Sequence, residues 1–446
     1  AERASQEKKV GDLLFAGSIV QEGKLVIEVT KVGKDTYLSK ILDIIKSQRI
    51  KTPLQHKVNL ISKALVPAMM IFSALSFVAW LIFTQDLTQA LNSALAVLVI
   101  GCPSSLALAI PLVLFVGSGV AARKGIVVRN GDAFQTMNEI NKLVFEKKGT
   151  LTRGDPIVSY ITSNIKEKEL LEITASLEFL NDPLLAKELL ERAGLKRYKK
   201  VENYQSFLGK GVEGEVDKKK ILIGNKAFMA ERSISLKGLE ARINEYEDGG
   251  KEALIVAINK RCVGVIAISD ELKEDALSTI MRLQKMKYTL VLMSSEDERS
   301  LKATAKRLNI SEIITLNSPE ETLKKIKELQ SLSHIAFIES PLGSIKVISK
   351  GNIGIVMGNE SHFGQGTEDI LVTTSSVESI IEIVKISRKV QKKIRQNLFW
   401  AFGYNLLAIP LAAVGLLHPL FAEIAMVAST LSVFINSNLL RNARIS

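Results

Sequence analysis

The side chains best suited to chemistry lie in apolar surroundings. Cys102 stands directly before Pro103 inside the uncharged run Ala94 to Val116, and Tyr404, Asn405, Met426 and Ser429 interrupt two apolar runs near the C-terminus. Polar or sulfur groups at bilayer depth are costly and by default mark a pathway. Thiolates and thioethers suit Cu(I), and a proline inside a helix removes a donor and opens the backbone around Cys102. Two readings stand side by side here. One is a path for a soft metal; the other is helix packing through small and polar residues, with Cys102 as a small buried apolar residue. The two cysteines, Cys102 and Cys262, are too few for a disulfide framework or a thiolate cluster. Cys262 falls in the apolar run Cys262 to Ile268 and reads as core. His56, His334, His362 and His418 show no metal-ligand spacing.

The elements that must position these residues follow from composition. The chain has 446 residues, 24% of them charged, with 10 Pro and a mean hydropathy of +0.18. That excludes a disordered or low-complexity chain and suggests one divided between lipid and water. Four segments are apolar enough to span a bilayer: Val66 to Phe83, Ala94 to Val116, Leu398 to Leu417 and Leu420 to Asn436. They pair as two hairpins, the second joined at His418-Pro419. The linkers Thr84 to Ser93 and Leu417 to Leu420 carry no Lys or Arg, while Lys40 to Lys63, Arg123 to Arg129, Lys385 to Arg395 and Arg441 to Arg444 are basic. The positive-inside rule therefore places everything large in the cytoplasm. The net charge of +12 is explained by this asymmetry and by lipid headgroups at Lys385 to Arg395, since no aromatic interleaving points to nucleic acid.

The cytoplasmic pieces are an N-terminal segment and a long insert between the hairpins. Leu25 to Val29, punctuated by Gly17, Gly23 and Gly33, reads as part of a set of short antiparallel strands. In the insert, apolar strands at Lys142 to Phe145, Leu290 to Met293, Ile335 to Ile338 and Ile353 to Met357 alternate with helices at Glu274 to Lys285 and Glu320 to Leu329, the pattern of an α/β domain. A second domain with the turn Gly209-Lys210-Gly211 interrupts it. The chain begins with Ala, so it is expected to be processed or a piece of something longer.

This order of parts resembles the heavy-metal subclass of P-type ATPases, and the membrane motifs resemble its copper branch. Asn397, Tyr404-Asn405 and Pro410 stand at the spacing of that branch's N-x6-Y-N-x4-P helix, and Met426-x-x-Ser429-Thr430 is similar to its M-x-x-S-S helix. The resemblance implies an α/β fold with transmembrane helices, divided into a partial β actuator domain with linker helix (1–58), a first hairpin (59–118), a haloacid-dehalogenase-like phosphorylation domain (119–154 and 266–390), an inserted α+β nucleotide-binding-like domain (155–265) and a second hairpin (391–446). It implies Cys102, Tyr404, Asn405, Met426 and Ser429 as metal-path residues. The family's Cys-Pro-Cys is here Cys102-Pro103-Ser104, which weakens the site for Cu(I) because a hydroxyl is a hard ligand.

The catalytic motifs depart further. The family's D-K-T-G-T reads Glu146-Lys147-Lys148-Gly149-Thr150, placing an acceptor one methylene longer and an added cation at Lys148. Its G-D-G-x-N-D reads Glu339-Ser340-Pro341-Leu342-Gly343-Ser344, with Ser340 and Ser344 in place of the two Mg²⁺-binding aspartates. T-G-D-N becomes Ser294-Ser295-Glu296-Asp297, the P-E-D-K lysine becomes Thr322, and S-E-H-P becomes Leu180-Asn181-Asp182-Pro183. Gly209 and Gly211 remain in the nucleotide-binding-like domain, equally readable as a turn. On these grounds the sequence predicts a protein that is not an enzyme, a structural or regulatory subunit with Mg²⁺ and ATP absent and Cu(I) its one candidate ligand. The expected partners are the lipid bilayer and other membrane subunits, and the expected location is a bacterial inner membrane. Two alternatives accompany it: a divergent copper-translocating ATPase using Glu146, and a passive Cu(I) binder or sensor.

Overall fold

A computed structural model describes residues 27–30, 32, 53–207, 210–315, 324–325, 328–329, 331, 333–340, 353–358 and 368–442. The chain divides into two compact units, one made of 1–135, 360–366 and 385–446, the other of 136–359 and 367–384.

In the first unit, helix α1 spans Pro53–Thr84 and α2 spans Leu87–Ile100, with Asp86 capping α2 by accepting from the amides of Thr88 and Gln89. The expected kink at Cys102-Pro103 is a full break: α2 stops, and two shorter helices follow, α3 at Ser104–Leu108 and α4 at Pro111–Ala122. Prolines at 103 and 111 each stand where a helix starts, the position that tolerates a missing N–H.

The second unit holds two sheets. Strands β1 (Lys142–Glu146), β8 (Thr289–Ser294), β9 (Glu312–Thr315), β10 (Ile335–Glu339), β11 (Ile353–Met357) and β12 (Ile370–Val372) are parallel, in the order β12-β11-β10-β1-β8-β9. Their apolar residues Val144, Val291, Met293, Ile335 and Phe337 are buried together, as continuous apolar runs in a parallel sheet require. The interrupting segment forms an antiparallel sheet, β2 (Ile157–Ser163), β3 (Val201–Phe207), β4 (Gly211–Val216), β5 (Lys219–Gly224), β6 (Glu252–Ile258) and β7 (Arg261–Ser269), in the order β2-β7-β6-β5-β4-β3. Helices α5 (Glu167–Glu178) and α6 (Pro183–Arg192) cover one face of it through Leu170, Leu177 and Leu189, in one buried cluster with Val256 of β6. Helices α7 (Ala276–Lys285) and α8 (Glu298–Leu308) return to the parallel sheet. Gly211 is required where it stands: its φ is +152° and a Cβ would lie 2.1 Å from the Ile223 carbonyl.

Helix α9 runs unbroken from Ser379 to Ala413, and α10 from Pro419 to Asn438. Within the first unit, α2, α9 and α10 pack through Ala96, Val97, Ala408, Ala412 and Ala422, small residues that let backbones approach closely. The orphan carbonyl of Ala413 at the end of α9 accepts from Trp80 Nε1 at 2.8 Å.

One expectation needs correction. Among the described residues three stretches are long and apolar enough to span, Leu54–Thr84, Leu87–Ala122 across the break at Cys102-Pro103, and Pro419–Arg441; the fourth expected segment, Leu398 to Leu417, is the end of α9, where Tyr404 and Asn405 dilute the apolar run and the helix stops at Ala413. Ile27 to Val29 lie outside any strand and are exposed; no ladder partner for them occurs among the described residues, and a strand needs one. The rest of the N-terminal segment, most of Glu320 to Leu329, and Gly209, Thr322 and Ser344 lie outside the described residues.

Candidate active site

Glu146 ends β1, an interior strand of the parallel sheet between β10 and β8, so its carboxyl stands at the C-terminal edge where open α/β sheets bind ligands. It is 3% exposed. The next residues form a type II turn: Lys148 has φ −68°, ψ 123°, and Gly149 φ +70°, ψ −8°, the second position needing a glycine. Ser340, just beyond β10, faces both. Its amide points at Glu146 Oε2 at 3.4 Å, and its hydroxyl donates to the Lys148 carbonyl at 2.9 Å.

The turn is braced from several directions. Thr152 Oγ1 accepts from the Gly149 amide (3.0 Å) and donates to Asp270 Oδ2 (2.6 Å), while Asp270 Oδ1 accepts from the Gly154 amide (3.0 Å). Lys273 Nζ donates to the Gly149 carbonyl at 3.0 Å, and burial pulls its pKa down to about 8. Lys147 donates to Glu296, a buried pair, and Glu296 also accepts from Ser300 Oγ at 2.8 Å. Lys148 Nζ pairs with Asp182 Oδ2, whose other oxygen caps α6 by accepting from the Leu185 amide. Burial disfavours the Lys148 ammonium, but the carboxylates of Glu252 and Asp182 outweigh it and hold its pKa above the lysine range. Burial raises Glu178 to about 7, against the lowering effect of its bond from Asn181.

Of the sequence-predicted residues, Glu146, Lys148 and Ser340 are brought together. Ser294 is buried at the end of β8 and accepts from the Glu296 amide at 3.2 Å, while Glu296 reaches the turn through Lys147. Lys147, Asp270, Lys273, Glu252 and Glu178 were not singled out by sequence. The available signal was the run Ser269-Asp270-Glu271-Leu272-Lys273, charged residues at the mouth of an apolar strand.

In the membrane helices Cys102 is exposed at the break between α2 and α3, which corrects its reading as a buried apolar residue: the unwound backbone at Pro103 turns it outward. Tyr404 donates to the Ala422 carbonyl at 3.2 Å, Asn405 is buried, and Met426 is half-buried. The Ser429 hydroxyl is buried with no partner among the described residues.

No group of three or more His, Cys, Asp or Glu side chains able to hold a metal ion occurs among the described residues. Mg²⁺, however, is commonly held by one or two carboxylates with substrate phosphates completing its shell. Glu146 supplies one carboxylate, faced by the Ser340 amide, and the Ser340 hydroxyl bonds to the Lys148 carbonyl of the following turn; the buried Thr150 hydroxyl of the same turn has no partner among the described residues. The donor set fits the ion on those terms.

Residues 143–340 match the haloacid dehalogenase-like hydrolase family, and residues 2–46 match the P-type ATPase actuator domain. A copper-exporting P-type ATPase of Staphylococcus epidermidis is 32% identical over 98% of this chain and 56% of its own length. One from Staphylococcus aureus is 32% identical over 98% of this chain and 55% of its own. The chain thus spans about half the length of these relatives. Among solved structures, a zinc-transporting PIB-type ATPase in the E2.Pi state superposes with a TM-score of 0.64 at 24% identity, over 93% of this chain and 69% of that one. These relatives overturn the expectation of a protein that is not an enzyme: nearly the whole chain aligns with proteins named as ATPases, and nothing in the site's geometry shows inactivity. The expected absence of Mg²⁺ and ATP likewise finds no support.

Proposed function

We propose that the chain, which aligns over nearly its whole length with copper-exporting P-type ATPases and matches the P-type actuator and haloacid dehalogenase-like families, is a bacterial integral membrane member of the heavy-metal P-type ATPase family that takes part in ATP-driven translocation of Cu(I), with its catalytic domains in the cytoplasm and Glu146 as phosphoryl acceptor. The observation that carries this reading is the buried Glu146 carboxylate, oriented by the Ser340 amide at the C-terminal edge of the parallel sheet.

An oxygen of Glu146 forms a bond to the γ-phosphorus of ATP as the bond to the β-phosphate oxygen breaks, and the electron pair leaves with ADP. The Ser340 amide holds the carboxylate. We assign the buried Thr150 hydroxyl, which has no partner among the described residues, as a donor to a phosphoryl oxygen, and the Thr152, Asp270 and Lys273 contacts fix the turn, so little reorganisation accompanies the charge that develops. Mg²⁺ held by Glu146 and the substrate phosphates would neutralise that charge. The cargo is a substrate of the membrane helices, where Cys102 offers a sulfur, Met426 a thioether and Ser429 a hydroxyl with no partner among the described residues.

The test is incubation of purified protein with Cu(I), Mg²⁺ and ATP labelled at its terminal phosphate. An acid-stable, hydroxylamine-sensitive phosphoprotein, lost in Glu146→Ala and Glu146→Gln, is expected; its absence from the parent protein sinks the reading.

A further inference from the structure

Glu146 is followed by two lysines that point to different parts of the second unit. Lys147 pairs with Glu296, which follows β8, so that contact stays within the parallel-sheet part. Lys148 reaches across 34 residues of chain to Asp182, at the start of α6 in the antiparallel-sheet part, at 2.5 Å. Asp182 is preorganised for this contact: one oxygen is held by the Leu185 amide as the helix cap, which leaves the other for the ammonium. The Lys148 and Asp182 side chains remain 33% and 19% exposed, so the pair is open to competing ions.

Beside this contact lies a cavity of about 20 Å³ bordered by Lys147, Lys148, Leu185, Glu252, Asp270 and Glu296. That volume holds about one water. Lys148 is also residue two of the turn whose carbonyl holds Ser340 beside the acceptor. A phosphoryl donor entering this cavity meets the Lys148 side chain, whose ammonium is engaged by Asp182. A triphosphate offers that ammonium several negative oxygens where Asp182 offers one carboxylate.

Resting on the reading of Glu146 as acceptor, we propose that the Lys148–Asp182 ion pair is a latch that holds the antiparallel-sheet part over the acceptor turn, and that the phosphate oxygens of a nucleoside triphosphate open it by taking Lys148 from Asp182. Lys148 is then a positioning residue for the nucleotide, and Asp182 sets the affinity by competing for it. A binding-competent state held back by a latch lowers the apparent affinity by its fractional population.

The test is equilibrium binding of a non-hydrolysable ATP analogue with Mg²⁺ to the full chain in lipid nanodiscs, by calorimetry. Asp182→Asn keeps a good helix cap but loses the charge, and should bind about tenfold tighter than the parent, within the usual range of coupling energies. Asp182→Glu restores the charge and should return affinity toward the parent's. In a Lys148→Gln background, Asp182→Asn should change nothing. Unchanged or weaker binding by a folded Asp182→Asn, the same tightening without Lys148, or no analogue binding by any variant overturns the latch. Because binding is read without phosphorylation, tightening in a protein that never forms a phosphoenzyme would count against Glu146 alone and leave the latch standing.

Discussion

Around the acceptor turn, charges meet charges or donors: Lys147 with Glu296, Lys148 with Asp182, and Asp270 with Thr152 and Gly154. In the membrane helices the hydroxyls of Ser93, Ser104 and Ser429 are buried with no partner among the described residues. The contrast follows from what each group costs when left alone. An uncompensated buried charge costs several kcal/mol, so a cation added to a turn persists only with its counter-charge. An unpaired hydroxyl costs about 1–3 kcal/mol and can stand open for an oxygen-binding or transient ligand. Thr150 shows the same rule at the acceptor turn, a buried hydroxyl with no partner among the described residues, set among matched charges.

The largest effect should come from breaking a matched charge. Lys147→Met leaves Glu296 buried without its cation and should cost about 3–5 kcal/mol, while adding Glu296→Leu should recover most of that. Thermal unfolding midpoints of the two variants check it, and equal losses would show that the charges are not coupled.

Next is Glu178, whose raised pKa has a definite sign. The folded protein keeps this carboxyl protonated up to about 7, whereas the unfolded chain releases the proton near the ordinary glutamate value. The folded state binds more protons across that window, so stability falls as pH rises through it and stays lower above. The rise corresponds to roughly 3 kcal/mol. Glu178→Gln is therefore expected to be more stable than the parent at pH 8 by up to that amount and equal to it near pH 4.5. A midpoint difference independent of pH would remove the burial explanation.

Legibility in the sequence followed the same divide. Strands β1, β8, β10 and β11 were readable because parallel strands buried on both faces are continuous apolar runs flanked by helical stretches. Glu146, Lys148 and Ser340 were readable because the runs that hold them, just after apolar strands, resemble the family's motifs. The pairings were not. Asp182-Pro183 spells a helix start, which gives no hint that the other carboxylate oxygen holds Lys148, and Lys147–Glu296 depends on two strand ends being adjacent in the sheet. Cys102 was placed correctly at a backbone break but not as exposed, since the direction taken by unwound chain after Pro103 is set by packing of α2, α3 and α10 rather than by local preference.

The membrane side of the comparison is sharpened by adding a ligand where no partner exists. Ser104→Cys converts an unpaired hydroxyl one turn position beyond Pro103 into a soft thiol, and should raise Cu(I) affinity at least about tenfold, measured by competition with a chelator of known affinity. No change would mean that Ser104 and Cys102 do not face one metal. The smallest effect belongs to Tyr404. Its hydroxyl is already engaged with the Ala422 carbonyl, and hydrogen bonds between membrane helices average about 0.6 kcal/mol. Tyr404→Phe should lower the unfolding midpoint slightly and leave Cu(I) affinity unchanged if that bond is structural. A clear loss of metal affinity at unchanged stability would instead make the phenol a ligand that exchanges Ala422 for cargo, and would move Tyr404 from the matched groups to the open ones.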